Sequence, residues 1–239
     1  MNKILSLTRR CVEDYDMIHP HDRIAVGVSG GKDSLILLTA LARLREFYPV
    51  PFTVEAITLD MGAAEGRPGM DFSPIADFCR TLGVPYTILS SEIQHIIFDV
   101  RREKNPCSMC AKMRRGALHG AMQERGLTKI ALGHHYDDAI ETFFMSLIFE
   151  GRLSCFQPVT YLDRTGITQI RPLLYCGETL IRHTAQRLAL PVVENPCPAD
   201  GNTKRQEIKD LIYELQGRYL GLKARTFGAM QRLPLPEWG

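Results

Sequence analysis

Apolar positions change their period repeatedly along this 239-residue chain. Residues 2–17 place apolar side chains at helical spacing, up to His19-Pro20. A solid apolar run, Ile24 to Val28, reads as a buried strand. A helix to about Phe47 follows, broken by Pro49-Val50-Pro51. Phe52 to Asp60 alternates and predicts a second strand; Met61 to Asp71, rich in Gly and Pro, reads as a mobile loop. Helices are expected over 73–82, 92–100, 108–125, 136–149 and 178–189. Short strands are expected at 86–89, 129–132 and Val192-Val193, and a hairpin at 159–162 and 167–170. The tail from Asn202 reads as helical. Alternating strands and helices imply an α/β fold, a mostly parallel twisted sheet with helices on both faces. Three units are expected: a helical lead-in, 1–22; a main domain, 23–200, with an inserted cysteine-bearing helix; and a helical tail, 201–239.

In such a sheet, ligands sit at the carboxyl ends of the strands. Ser29-Gly30-Gly31-Lys32-Asp33-Ser34 falls there, between the first strand and its helix. Glycines let backbone N–H groups approach an anion, and the helix dipole favours negative charge. Lys32 adds full charge; Ser29 and Ser34 add hydroxyls. A Walker A loop fails here, because Val26 and Asp33 stand where it needs Gly and Ser or Thr. The dinucleotide fingerprint fails at Ser29. What remains resembles the PP-loop of the ATP pyrophosphatases, which attach AMP to a substrate and release pyrophosphate. Asp60 and Gly133-His134 fall at the ends of other strands and are expected in the same pocket.

Net charge is only +2, which excludes a strongly basic nucleic-acid binder. Residues 101–115 are different: Arg101, Arg102, Lys104, Lys112, Arg114 and Arg115 face one acid, Glu103. That patch suits a phosphate backbone, or a solvated helix face. No apolar run reaches the ~18 residues of a membrane span, and the first sixteen residues lack a secretory apolar core. A cytoplasmic protein without membrane contact is expected. In that compartment seven cysteines read as core residues, metal ligands or redox thiols rather than disulfides.

Two of them form Cys107-Ser108-Met109-Cys110, opening a helix near Lys112, Arg114 and Arg115. A lone pair at this spacing fits a redox dithiol, half a zinc site or part of an iron–sulfur site. Cys197, between Pro196 and Pro198, cannot lie in a helix interior or central strand, so a ligand loop is the better reading. Three cysteines ligate three irons of a 4Fe–4S cluster and leave the fourth open; a structural zinc site wants four ligands. Cys11, Cys79, Cys155 and Cys176 read as structural. The segment Gly133-His134-His135-Tyr136-Asp137-Asp138 opens another helix, where two acids complement the dipole.

With these constellations in order, the chain resembles the tRNA 2-thiocytidine synthetases. The likeness covers almost the whole chain, including Arg171 to Cys176 and Asn202 with Arg205-Gln206. The resemblance implies ATP, Mg²⁺ and a 4Fe–4S cluster as cofactors. It implies nucleotide binding by residues 29–34 (Ser29, Gly30, Gly31, Lys32, Asp33, Ser34), Asp60, Gly133 and His134. Mg²⁺ is then held by Asp33 with Asp137 or Asp138, and the cluster by Cys107, Cys110 and Cys197. Lys32, Asp33, Asp137, Cys107 and Cys110 become the catalytic set. Arg101, Arg102, Lys112, Arg114 and Arg115 are expected against tRNA. ATP adenylates the C2 oxygen of an anticodon-loop cytidine, and sulfur displaces AMP. Further implied partners are a sulfur donor, cysteine desulfurase or sulfide, and a second copy in a homodimer. A PP-loop adenylating ligase or thiolase acting on another RNA position or a non-RNA substrate is the alternative; the ligase needs no cysteine. A nucleotide- and metal-binding regulatory protein is a third reading.

Overall fold

A computed structural model describes residues 1–63, 69–101, 106–193 and 204–232, without the side chains of 106–108. Its centre is β1 (Asp22–Gly27), whose Ile24, Ala25 and Val26 are fully buried. On either side lie β2 (Phe52–Asp60) and β4 (Lys129–Ala131), both parallel to β1, with Ile24 opposite Val54 and Ala25 opposite Ile130. With β3 (Tyr86–Ser90), β5 (Val159–Leu162) and β6 (Ile167–Ile170) the sheet runs β3-β2-β1-β4-β6-β5. Only the β5–β6 hairpin is antiparallel. Strands buried on both faces are expected to be apolar, and the central Ile24-Ala25-Val26 of β1 obeys this after the polar start at Asp22-Arg23.

Period-2 alternation sends Ile24 and Val26 to one face and Ala25 to the other. The first face packs on α2 (Lys32–Leu44), where every residue from Ser34 to Ala42 is buried. Such all-round burial follows because α1 (Asn2–Asp14) and α7 (Glu178–Arg187) cover its outer side. The same core takes Ile75 and Cys79 from α3 (Ser73–Thr81). The opposite face holds a smaller core of Ile57, Ile130 and Ile167 under Met122 of α5 (Pro106–Glu124). Helices therefore lie on both faces. A third cluster, Ile140 with Ile208 and Ile212, joins α6 (Tyr136–Met145) to α8 (Lys204–Arg218). Buried Lys129 ties the lead-in to the sheet: its Nζ donates to Met17 O at 3.0 Å and pairs with Asp22.

Most expected elements appear within a few residues of their predicted bounds. The helices expected at 92–100 and 136–149 both end in π-helical turns, Ile96–Val100 and Ser146–Glu150. One expectation fails: Val192-Val193 is not a strand. Val193 N donates to Gly30 O at 3.0 Å, and Val192 N turns back to Leu190 O at 2.8 Å, so no ladder forms. Residues 64–68 of the expected loop lie outside the described residues.

Candidate active site

The chain leaves β1 at the centre of the sheet and enters α2 through residues 28–31. Gly30 carries φ +88°, a left-handed value that favours glycine. A side chain there also meets Val193 Cβ at 3.3 Å. Ser34 Oγ donates to Gly31 O at 2.9 Å and accepts Ser29 N–H at 3.2 Å, which closes the turn. At Gly133, after β4, a Cβ stands 3.2 Å from the backbone of Asp33 and Ser34. Glycine is what lets β4's exit lie against the start of α2.

A cleft of about 940 Å³ opens at these strand ends. Ser29, Gly31, Lys32 and Asp33 form one wall. Ala111, Arg114, Arg115, Leu118 and His119 of α5 form another. On the β2 side the lining is apolar, Ile57, Leu59, Met61 and Met70; on the β4–β6 side the polar His134, Gln169 and Arg171 stand among Ile130, Leu132 and Phe156. The phosphate-loop residues, His134 and the basic residues Arg114 and Arg115 are therefore brought together. Asp60 is not on the cleft wall; its carboxylate accepts Gly62 N–H at 2.9 Å and turns the chain out of β2.

Lys32 Nζ lies 3.1 Å from Asp33 Oδ2 and 3.3 Å from Glu178 Oε1. Asp33 Oδ1 is buried without a hydrogen-bond partner among the described residues. Burial alone raises the Glu178 carboxyl, but the Lys209 hydrogen bond and the charges of Lys209 and Lys32 outweigh it and bring it down to about 2. Lys209 Nζ of α8 is 2.9 Å from Glu178 Oε2.

Asp137 and Asp138 are engaged away from the cleft wall. Asp137 Oδ2 accepts Glu178 N–H at 2.7 Å, anchoring α7, and Oδ1 takes Lys223 Nζ of α9 (Leu222–Gln231) at 2.6 Å. Asp138 Oδ2 accepts His135 N–H at 2.9 Å in a capping box, and Oδ1 lies 3.6 Å from Arg205.

On α5, Cys110 is half-buried, while Lys112, Arg114 and Arg115 are exposed. Cys107 sits three residues before Cys110 in the first turn of that helix. Arg101 is exposed on the preceding turn; Arg102 and Cys197 lie outside the described residues. The other thiols are poor ligands. Burial pushes Cys11 and Cys176 up to about 12, and Cys79 and Cys155 up to about 11. A metal takes the thiolate.

A family model described as a PP-loop domain matches residues 3–215. A tRNA-cytidine(32) 2-sulfurtransferase of Alkalilimnicola ehrlichii is 39% identical, over 97% of this chain and 73% of its own length. One from Anaeromyxobacter dehalogenans is 36% identical, over 95% and 78%. The chain belongs to the PP-loop family of tRNA-cytidine 2-sulfurtransferases. The U34-tRNA thiolase NcsA from Methanococcus maripaludis, solved with its [4Fe-4S] cluster, shares the fold: TM-score 0.76 at 24% identity, covering 95% of this chain and 77% of that one.

For a member of this sulfurtransferase family, two groups of residues, one behind the phosphate loop and one in the cleft, carry no role from sequence reasoning. One is Glu178 with Lys209 and Arg205, which reach Lys32 and Asp138 from distant elements. Only their pairing in space reveals them. The other is Phe156, Gln169 and Arg171. Arg171 directly follows β6, so the rule that strand ends line the ligand site could have found it.

Proposed function

We propose that this chain is an ATP-dependent tRNA sulfurtransferase that adenylates the C2 oxygen of an anticodon-loop cytidine, position 32 by its relatives' naming, and replaces that oxygen with sulfur. The observation that supports this reading most is one cleft walled by a phosphate loop on one side and a basic, cysteine-bearing helix on the other.

The residues present fit the cofactors. Gly30 and Gly31 form the turn at the start of α2, with open space beside Gly31, where the dipole favours the triphosphate. Asp33 Oδ1 is buried with no hydrogen-bond partner among the described residues, 3.8 Å from His135 Nε2, and is the hard kind of donor that Mg²⁺ takes. Asp138 is a weaker second ligand because its oxygens already face His135 N–H and Arg205. By the family likeness Cys107, Cys110 and Cys197 would hold a 4Fe–4S cluster; Cys110 is half-buried on α5, whereas Cys11, Cys79 and Cys176 are buried in the core. Such a cluster supplies an iron open to sulfur; Mg²⁺ supplies charge against the phosphates.

The phosphate-loop N–H groups bind the triphosphate and Lys32 stabilises pyrophosphate as it departs. The base oxygen bonds the α-phosphorus and the bond to pyrophosphate breaks. Sulfur then bonds C2, and AMP leaves with the oxygen. Adenylation is needed because an amide-like oxygen leaves poorly and AMP leaves well. Lys112, Arg114 and Arg115 meet the tRNA backbone. Delivery of sulfur by cysteine desulfurase or sulfide, a homodimer and a cytoplasmic location complete the proposal. No described helix is long and apolar enough to cross a membrane. Pyrophosphate release that requires tRNA tests the first half reaction; release without tRNA, or none with it, overturns this reading.

A further inference from the structure

The polar end of the cleft contains an unusual arrangement. Phe156, in the irregular stretch before β5, packs against two polar side chains at once. Its ring centroid lies 4.9 Å from that of His134, tilted by 31°, and 4.9 Å from the Arg171 guanidinium carbon. Arg171 is 5% exposed. Its Nη1 donates to Gln157 O and to Thr160 Oγ1, and its Nη2 to Gln169 Oε1 at 3.2 Å. Its Nε–H has no partner among the described residues, and neither has His134 Nδ1. Two buried, unpaired nitrogens against one aromatic ring are costly unless something else satisfies them.

We propose that this end of the cleft is the pocket for the target cytosine, and that Phe156 occupies it until the base enters. The proposal rests on the thiolation reading above. A base modified at a ring atom must be taken out of its stack. Flipped bases stack on aromatic rings and guanidinium planes, the surfaces that Phe156 now covers. Moving one ring aside uncovers both nitrogens.

Their chemistry selects the base. Cytosine presents O2 and N3 as acceptors and its 4-amino group as donor. Arg171 Nε–H donates to N3. Burial, followed by the charge of Arg171, brings His134 down to about 4, so its imidazole is neutral at pH 7, and in the Nε2–H tautomer Nδ1 accepts from the amino group. Reading N3 and the amino group leaves O2 unclaimed for adenylation. Uracil puts N3–H against Arg171 Nε–H and a carbonyl against His134, a mismatch at both positions. Adenine of ATP is left the apolar half at Ile57, Leu59 and Met70.

The test uses full-length protein with Arg171→Lys and His134→Phe. The first keeps charge but loses the planar Nε–H; the second keeps a ring against Phe156 but loses the acceptor. Pyrophosphate release is followed over tRNA carrying cytidine or uridine at the target position, beside equilibrium ATP binding. Both variants are expected to lose about 10- to 100-fold in rate on the cytidine tRNA and to narrow the cytidine-over-uridine preference, and Arg171→Lys to hold ATP within twofold of wild type. The preference does not move if the residues are merely structural. Should Arg171→Lys not fold, His134→Phe alone decides. Unchanged rate and preference overturn the pocket, and so does a parallel loss of ATP affinity, which gives this end to the nucleotide. Wild-type protein inactive over every tRNA overturns the thiolation reading and the pocket with it.

Discussion

Glu178 joins the phosphate loop to the C-terminal helices, and removing its charge has a calculable effect. Its carboxyl falls from an ordinary 4.5 to about 2 in the folded chain, a depression of about 2.5 units. A depressed acid stabilises the fold above its unfolded pKa, and that contribution fades as pH falls towards the folded value. At about 1.36 kcal/mol per unit the ceiling is about 3.4 kcal/mol; solvent at this partly open site reduces it to about 1–2 kcal/mol. For a chain of this size that lowers Tm by about 3–6 °C. The perturbation is Glu178→Gln, nearly isosteric, compared with wild type in thermal melts from pH 7 down to pH 3. The difference is expected in full at pH 6–7. By pH 3, about one unit above the folded pKa, roughly two-fifths remains. A difference absent at pH 7, or undiminished at pH 3, refutes the ionic account of the Lys32–Glu178–Lys209 bridge.

Gly133→Ala places a methyl 3.2 Å from the Asp33 and Ser34 backbone, so KM for ATP rises several-fold while Tm moves little; steady-state kinetics beside a melt checks both. Gly62→Ala combines φ +74° with a contact of 2.4 Å to Ser91 O and costs about 2–3 kcal/mol in urea unfolding. Cys110→Ser abolishes iron loading under anaerobic reconstitution, whereas Cys79→Ser in the core keeps its iron content. Replacing Arg114 and Arg115 by Ala lowers tRNA affinity and flattens the slope of log K against log salt by about 0.7 per lost phosphate contact, read in a salt titration.

Strong periodicity made the fold legible. The apolar centre of β1, the helix after the phosphate loop and the Asp163–Gly166 hairpin turn all follow from pattern and turn chemistry. Val192-Val193 misled because two β-branched residues look like a strand, while one bond to Gly30 O fixes them instead. The phosphate loop was legible because its chemistry is contiguous in sequence. The acids at 137 and 138 were not, since their partners Lys223 and Arg205 lie 86 and 67 residues away in the chain. Phe156 escaped for a related reason: its ring contact with Arg171 has no local sequence pattern, and although Arg171's place after β6 was legible, its partnerless Nε was not.

The most direct measurement is mass spectrometry of nucleosides from tRNA treated with the anaerobically reconstituted protein, ATP, Mg²⁺ and sulfide. Cytidine gaining sulfur in place of oxygen, only when ATP is present, is the expected result. Unchanged nucleosides across a full tRNA pool, with iron still bound, contradict it.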